Sequence, residues 1–159
     1  DGKTLGIDQF KKELGFAAPY VNLYSKFTAR ENLEFICQLR HLVFDSVFNA
    51  HTNTNPDVNS NRNNYRYWLD QLLVTPLLDI AFGNLSTGQQ QRVKLASALI
   101  YEPRFLFLDE PGSNLDEQGR DLIEQISSEW NRPGRILFIA SNRPEELALC
   151  NHIISIDDY

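Results

Sequence analysis

The spacing of apolar residues along the first half of the chain predicts helices. Apolar positions recur with helical periodicity over about 29–47, and a second such stretch at 65–73 ends before Pro76. The residues before the first of these helices, TARE at 28–31, have the Thr-x-x-Glu pattern of a capping box, in which each side chain bonds the other residue's backbone amide. Polar residues 8–13 predict one further helical turn.

Short apolar runs alternate with helical patterns in the rest of the chain. The predicted strands are Leu14–Ala18, Phe105–Leu108, Ile136–Ala140 and Ile153–Ile156. The predicted helices between and after them are 86–101, 117–130 and 144–149. The run Ile136–Ala140 is apolar throughout, which predicts a strand buried on both faces. Strands that alternate with helices predict an α/β fold with a parallel sheet.

Composition adds three expectations. Residues 49–64 contain seven Asn, which favours a surface loop; a docking role for this loop is the alternative. The net charge of −6 argues against a broad basic face for nucleic acid. Cys37 and Cys150 are far apart and lack the spacing of metal ligands, so we expect buried free thiols in a reducing compartment.

The stretch LSTGQ, residues 85–89, has the properties of an anion site at a helix start. Ser86 is a favourable N-cap, and Gln89 three residues later completes a capping box. Gly88 would allow a ligand to approach the backbone closely. The first amides of a helix lack internal partners and the helix dipole is positive there, which suits a phosphate group. An ordinary capped helix is the alternative.

Polar side chains follow two of the predicted strands. Asp109 and Glu110 come directly after an apolar run, at the strand end where open parallel sheets bind ligands. A carboxylate at Asp109 could bind hydrated Mg²⁺, and one at Glu110 could accept a proton from water. The turn GSNLD at 112–116 ends in an acid that can cap the next helix, and Asn142 follows Ile136–Ala140.

In their order and spacing these motifs resemble the nucleotide-binding domain of ABC-type ATPases. LSTGQQQR resembles the ABC signature, with Thr87 where Gly is usual. FLFLDEP resembles the Walker B strand with its catalytic Glu, and SNLD resembles the D-loop. LGFAAPYVNLYSKFTARENLEF is more loosely similar to the Q-loop region, and ILFIASNRPEELALCNHIISI to the switch region and final strand.

The resemblance implies an α/β P-loop NTPase fold of the ABC-ATPase type, incomplete here, with an α-helical subdomain. On this basis residues 1–27 form the end of the N-terminal lobe and the Q-loop region. Residues 28–84 form the helical subdomain, with the Asn-rich loop at 49–64. Residues 85–159 form the signature helix and the C-terminal part of the ATPase core.

The resemblance also implies site residues, with ATP and Mg²⁺ as cofactors. Ser86 and Gly88 would bind the γ-phosphate of an ATP bound mainly by the opposite subunit, with Gln89 beside the same nucleotide. Asp116 would lie at the dimer interface and link the two sites.

Two acids would supply the chemistry that the resemblance implies. Asp109 would hold Mg²⁺ through water. Glu110 would orient and deprotonate the attacking water.

The chain departs from the family pattern in three places. Gly2-Lys3-Thr4 matches only the end of the Walker A motif, and the following segment is too short for its helix, so we expect a hairpin there. Pro19 or Tyr20 stands where a Q-loop Gln is usual, with Asn22 nearby. Asn142 replaces the switch His. Because Asn can donate a hydrogen bond but carries no charge, slower hydrolysis is expected.

These observations predict the ATP-binding subunit of an ABC transporter. It would act with a second nucleotide-binding subunit, identical or different, and with transmembrane permease subunits, on the cytoplasmic face of the cell membrane and without nucleic acid. Because the chain lacks Met and a Walker A loop, we expect a fragment that is inactive alone. NLYSKFTARENLEF is similar to exporter sequences.

Two alternatives to a transporter subunit remain. One is a soluble ABC-type ATPase of DNA repair, chromosome organisation or translation, against which the GQQQR run counts. The other is a regulatory half that does not hydrolyse ATP, against which the intact Asp109 and Glu110 count.

Overall fold

A three-stranded parallel sheet organises the structure. The computed structural model describes residues 6–40, 42 and 62–155. The elements are α1 (Ile7–Lys12), β1 (Leu14–Ala17), α2 (Ala29–Leu39), α3 (Arg62–Gln71), α4 (Thr87–Leu99), β2 (Phe105–Asp109), α5 (Glu117–Trp130), β3 (Ile136–Ala140) and α6 (Pro144–Leu147). The strand order is β1-β2-β3 and both pairs are parallel, which confirms the predicted α/β fold.

The strand register brings the carboxyl ends of the strands to one edge of the sheet. Ala17 pairs with Leu108, and Asp109 pairs with Ala140. β2 therefore extends one residue beyond its predicted end and includes Asp109. The segments that follow β1, β2 and β3 all leave from this edge.

Helix α2 begins where the sequence predicts and ends earlier. The amide of Glu31 donates to Thr28 Oγ1 at 3.1 Å, and the amide of Thr28 donates to the Glu31 carboxylate at 2.7 Å, which confirms the capping box. The helix ends at Leu39 instead of continuing to 47, because the Leu42 amide donates back to the Cys37 carbonyl at 2.9 Å. This bond is the one that closes a Schellman C-cap. Residues 41 and 43–47 lie outside the described part.

The Asn-rich loop predicted at 49–64 is shorter than expected at its C-terminal end. Residues 62–64 belong to α3, and residues 49–61 lie outside the described part. Trp68 and Leu69 are buried, and the Trp68 ring packs against Trp130 with centroids 5.6 Å apart. This tertiary packing outweighs the weak helix propensity of Asn in the first turn.

Strand β3 is not buried on both faces, contrary to the prediction. Ile136 and Phe138 remain 45% and 48% exposed. Helices α4 and α5 pack on the opposite side of the sheet, the side of Gly15 and Leu137. The side chains of Phe16, Phe107 and Phe138 are in register on the open side, where the last two stack at 4.4 Å.

The final predicted strand is also wrong over its described part. Residues 153–155 form no strand and are exposed, and Ile156 lies outside the described residues. Two exposed isoleucines in this segment account for the apolar pattern that suggested a strand. A short apolar run forms a strand only when a neighbouring strand offers its hydrogen bonds.

Helix α4 is buried on all sides over residues 91–99, and it lies between β1 and the helices α2 and α3. Its close approach to β1 depends on Gly15: a Cβ there would lie 2.5 Å from the Ala98 carbonyl oxygen and 2.5 Å from Pro103 Cγ. The helix ends two residues before the predicted limit of 101.

The two cysteines differ in burial. Cys37 is fully buried in the core, and burial raises the pKa of its thiol to about 11. Cys150 is only partly buried, although burial raises its thiol pKa as well. The prediction of buried free thiols is therefore confirmed for Cys37 and only in part for Cys150.

Candidate functional site

The start of α4 is a reciprocal cap. The Gln89 amide donates to Ser86 Oγ at 3.3 Å, and the Ser86 amide donates to Gln89 Oε1 at 2.9 Å, so the predicted capping box is confirmed. Ser86 and Thr87 are exposed. The cap fixes the direction of the first turn and leaves this helix end at the protein surface.

Gly88 has a structural role within its own chain. A Cβ at this position would lie 2.9 Å from the Asn114 carbonyl oxygen. The signature turn therefore lies against the turn that follows β2. The close approach of the Asn114 carbonyl is by itself a reason for glycine at position 88. The approach of a ligand to Gly88 stays a prediction.

The end of β2 presents two carboxylates. Asp109 is the last strand residue and is partly buried, and Glu110 is exposed just beyond it. Glu110 has a φ of 42°, in the left-handed region that costs a non-glycine residue about 1–3 kcal/mol. Its amide donates to the Ala140 carbonyl at 2.8 Å, which ties this turn to the end of β3.

Tyr20 lies near Asp109. It is one of the two residues, Pro19 and Tyr20, predicted for the position where the family pattern has glutamine. Loss of hydration at the phenol, the negative charge of Asp109 and a hydrogen bond to that carboxylate raise the pKa of Tyr20. The buried Lys94 of α4 donates to the Pro19 carbonyl, and burial lowers the pKa of this amine. Asp109 thus acts on the side chain of Tyr20, one of the candidates Pro19, Tyr20 and Asn22.

Asp116 is the N-cap of α5. It accepts the Gly119 amide at 2.8 Å, as the sequence predicts for an acid at this position, and it also pairs with Arg92 at 3.0 Å. Asp116 is 69% exposed, whereas Arg92 is largely buried on α4. The ion pair therefore links the helix that begins at the signature with the helix that begins at the D-loop.

Asn142 follows β3 at the same sheet edge as Asp109 and Glu110. It is exposed, two residues beyond the Ala140 carbonyl that accepts from Glu110. The Arg143 amide donates to Ser141 Oγ at 3.0 Å, which shapes the turn around Asn142. Three of the predicted site residues therefore share one edge, while Ser86 and Gln89 lie at the start of α4.

The glutamines of the QQQR run illustrate what sequence reasoning missed. Gln90 donates to the carbonyls of Phe82 and Leu85 at 3.2 and 3.1 Å, on the preceding loop. Gln91 donates to the Pro111 carbonyl at 3.1 Å, in the turn after Glu110. Gln91 is buried, and buried polar groups require hydrogen-bond partners. Once the burial of this helix is known, its polar side chains are therefore expected to bond neighbouring segments.

The carboxylate of Asp109 could contribute to the binding of a Mg²⁺ ion that is also held by a phosphate group. Within the described ranges no group of three His, Cys, Asp or Glu side chains is arranged to hold a metal by itself. Mg²⁺ is commonly bound by one or two carboxylates together with substrate phosphates and water. The single carboxylate of Asp109 at a strand end suits that arrangement. Over the same ranges no helix has the length and apolar character required to span a bilayer.

Comparison with known proteins identifies the family to which the sequence is similar. The model of the family described as "ABC transporter" matches residues 2–113. The molybdenum import ATP-binding protein ModC of Aromatoleum aromaticum is 30% identical over 99% of this chain and 38% of its own length. The branched-chain amino acid transport ATP-binding protein BraF of Pseudomonas aeruginosa is 32% identical over 86% of this chain and 55% of its own length.

Relatives named for export are similar to the same degree. The Nod factor export ATP-binding protein I of Sinorhizobium fredii is 30% identical over 92% of this chain and 39% of its own length. The chain thus spans about half or less of the length of these relatives. The family match, the parallel sheet and the motifs at its edge lead to one conclusion: the chain belongs to the ABC transporter family.

Proposed function

We propose that this chain is part of the ATP-binding subunit of an ABC transporter, which hydrolyses MgATP at an interface between two nucleotide-binding subunits. The observation that carries the proposal is the shared sheet edge where Asp109, Glu110 and Asn142 follow neighbouring strands. Oxygen and amide groups that converge at such an edge suit a phosphate with its metal ion.

In the proposed reaction each residue has a separate task. Mg²⁺, when bound with the nucleotide, supplies positive charge that neutralises the phosphates. Asp109 would hold the Mg²⁺ ion through water. Glu110, exposed just beyond the end of β2, orients the attacking water and accepts its proton. Asn142 donates a hydrogen bond to the γ-phosphate but adds no charge.

The start of α4 supplies the second half of the proposed site. Ser86 and Gly88 would contact the γ-phosphate of a nucleotide bound by the partner subunit, where the positive end of the helix dipole favours an anion, and Gln89 would lie beside the same nucleotide. Asp116, 69% exposed, would lie at that interface. Permease subunits would take up the resulting motion, with this subunit on the cytoplasmic face of the membrane. The proposal covers import and export alike, since a relative named for import and one named for export are both 30% identical to the chain.

The decisive experiment is ATP hydrolysis by the intact protein and its Glu110→Gln variant. The variant keeps the shape of the side chain and loses the base, so the rate should fall by roughly 10²–10⁴-fold while nucleotide binding persists. A variant with unchanged turnover would contradict the role of Glu110. A wild-type protein that binds MgATP without hydrolysing it would favour the regulatory alternative.

The substitution of the switch residue has its own test. Asn142→His should raise the steady-state rate, because an imidazole can carry the charge that an amide lacks. An unchanged or lower rate would count against this role. The chain of 159 residues alone should show no tight MgATP binding in calorimetry.

A further inference from the structure

The peptide group between Pro111 and Gly112 is bonded at both ends by side chains from two different helices. Gln91 of α4 donates from Nε2 to the Pro111 carbonyl at 3.1 Å. The Gly112 amide donates to Glu146 Oε1 of α6, also at 3.1 Å. One rigid planar unit is therefore bonded from the signature helix on one side and from the switch segment on the other.

Both of these side chains are withdrawn from solvent. Gln91 is 2% exposed and Glu146 is 4% exposed. Arg143 strengthens the arrangement, since its Nη1 donates to the Gly112 carbonyl at 3.3 Å and lies 3.6 Å from Glu146 Oε1. Hydrogen bonds to a charged group are stronger than bonds between neutral groups, and the bond from Gly112 to the Glu146 carboxylate is of this kind.

The sequence at this turn leaves room for these contacts. A Cβ on Gly112 would lie 2.3 Å from Glu146 Oε1 and 3.1 Å from Arg143 Nη1, so a side chain at this position would displace the carboxylate. The φ of Gly112 is not in the left-handed region. The backbone conformation would therefore admit another residue, and the close approach of Glu146 is what favours glycine here.

The fixed peptide group is adjacent to the proposed catalytic acid. Glu110 immediately precedes Pro111, and the Ser113 amide closes the turn onto the Glu110 carbonyl at 3.0 Å. The Pro111–Gly112 peptide is therefore the central peptide of the turn whose first residue is Glu110.

We infer that Gln91 and Glu146 are positioning residues that fix Glu110 and couple it to the signature helix and to the switch segment. The inference rests on the proposed function, and it adds to it two residues that need not touch nucleotide. A shift of α4, when its start engages a partner's nucleotide, reaches Glu110 through Gln91. A shift of the segment around Asn142 reaches Glu110 through Glu146.

The test compares Gln91→Leu and Glu146→Ala with matched controls in the intact protein. Gln125→Leu removes a glutamine of α5 whose bonds go to Tyr67, Gln71 and Glu129, away from this turn. Glu34→Ala removes a glutamate of α2, a helix that contributes none of the side-chain bonds to this turn described above. Thermal unfolding of each variant verifies that it is folded.

Two readouts separate positioning from general stability. We expect kcat to fall by roughly tenfold to a hundredfold in both test variants, as displacement of a catalytic group by about 1 Å does. The KM for ATP should stay within about twofold, because ground-state binding is not altered. Glu146→Gln can still accept the Gly112 amide, so it should recover most of the rate that Glu146→Ala loses. The controls should match the wild type.

Hydrogen exchange measures the bond from the Gly112 amide to Glu146 independently of catalysis. Pro111 carries no amide proton, so the Gly112 amide reports directly on the contact with Glu146. Exchange in the peptide that contains Gly112 should accelerate in Glu146→Ala and in Gln91→Leu, and not in the controls. Unchanged exchange, or accelerated exchange with unchanged kcat, would overturn the inference. If the wild type does not hydrolyse ATP, the proposed function fails, and the catalytic role assigned here fails with it, while the exchange data still decide whether Glu146 bonds the Gly112 amide.

Discussion

Replacement of Gly15 by alanine should destabilise the fold, because the added methyl group would overlap with neighbouring atoms. Gly15 is a buried residue of β1 where the strand lies against the end of α4. The added Cβ would lie 2.5 Å from the Ala98 carbonyl oxygen, 2.5 Å from Pro103 Cγ and 3.0 Å from Leu106 Cδ1. The two shortest contacts cannot be relieved by turning the end of a flexible side chain, because one is with helix backbone and the other is with a proline ring.

The size of the effect follows from overpacking. A methyl group forced into a packed core costs about 1–3 kcal/mol, and a contact with helix backbone favours the upper part of that range. For a protein of this size each kcal/mol lowers Tm by about 2–4 °C. Gly15→Ala should therefore unfold roughly 4–12 °C below the wild type, unless α4 moves away from the sheet.

Thermal unfolding followed by circular dichroism, with urea unfolding as a second measure, gives the value. Gly6→Ala is the matched control: no atom lies within 4 Å of its added Cβ, and Gly6 is the N-cap of α1. Exchange of Gly for Ala at an N-cap should cost less than about 1 kcal/mol. A Gly15→Ala variant as stable as Gly6→Ala would show that α4 does not lie on β1 as described.

Three further substitutions test features of the fold and its chemistry. Thr28→Ala removes the cap of α2 and should cost about 1 kcal/mol in urea unfolding, and an unchanged midpoint would contradict the cap. Arg40→Met keeps the aliphatic stem but loses donors to the carbonyls of residues 11, 12 and 14, so about 2 kcal/mol or more should be lost; a smaller loss than for Thr28→Ala would refute this. In the native protein at pH 8, iodoacetamide should modify Cys150 well before Cys37, because a thiol pKa of about 11 leaves roughly one thiolate in a thousand, and equal rates by mass spectrometry would contradict the burial of Cys37.

Features that depend on neighbours in the sequence were predicted well. The capping boxes at Thr28 and Ser86 need only a residue three positions later, and both are present. The bounds of α5 and β3 were also predicted, since periodicity and flanking turns define them locally. The burial of β3 was not, because it depends on which elements pack on each face of the sheet, and the spacing of apolar residues along one strand does not contain that information.

The candidate site divides in the same way. Asp109, Glu110 and Asn142 could be predicted because each follows an apolar strand, and the parallel topology then brings the strand ends together. Tyr20 was one of several candidates for its position, and its proximity to Asp109 became apparent only from the fold. That proximity brings the turn after β1 to the end of β2, two segments that are far apart in the sequence.

The glutamine run and Gly112 show why the supporting residues escape prediction. Consecutive residues of a helix point in different directions, so the three glutamines bond partners 3, 8 and 20 residues away. Only the nearest of these bonds follows a known local pattern. Gly112 was predicted to lie in a tight turn, yet its φ would admit another residue, and the constraint comes from Glu146, 34 residues later. Motif residues that face a ligand are recognisable by type and spacing, whereas the residues that fix their geometry are specified by long-range packing and become identifiable only once the fold is known.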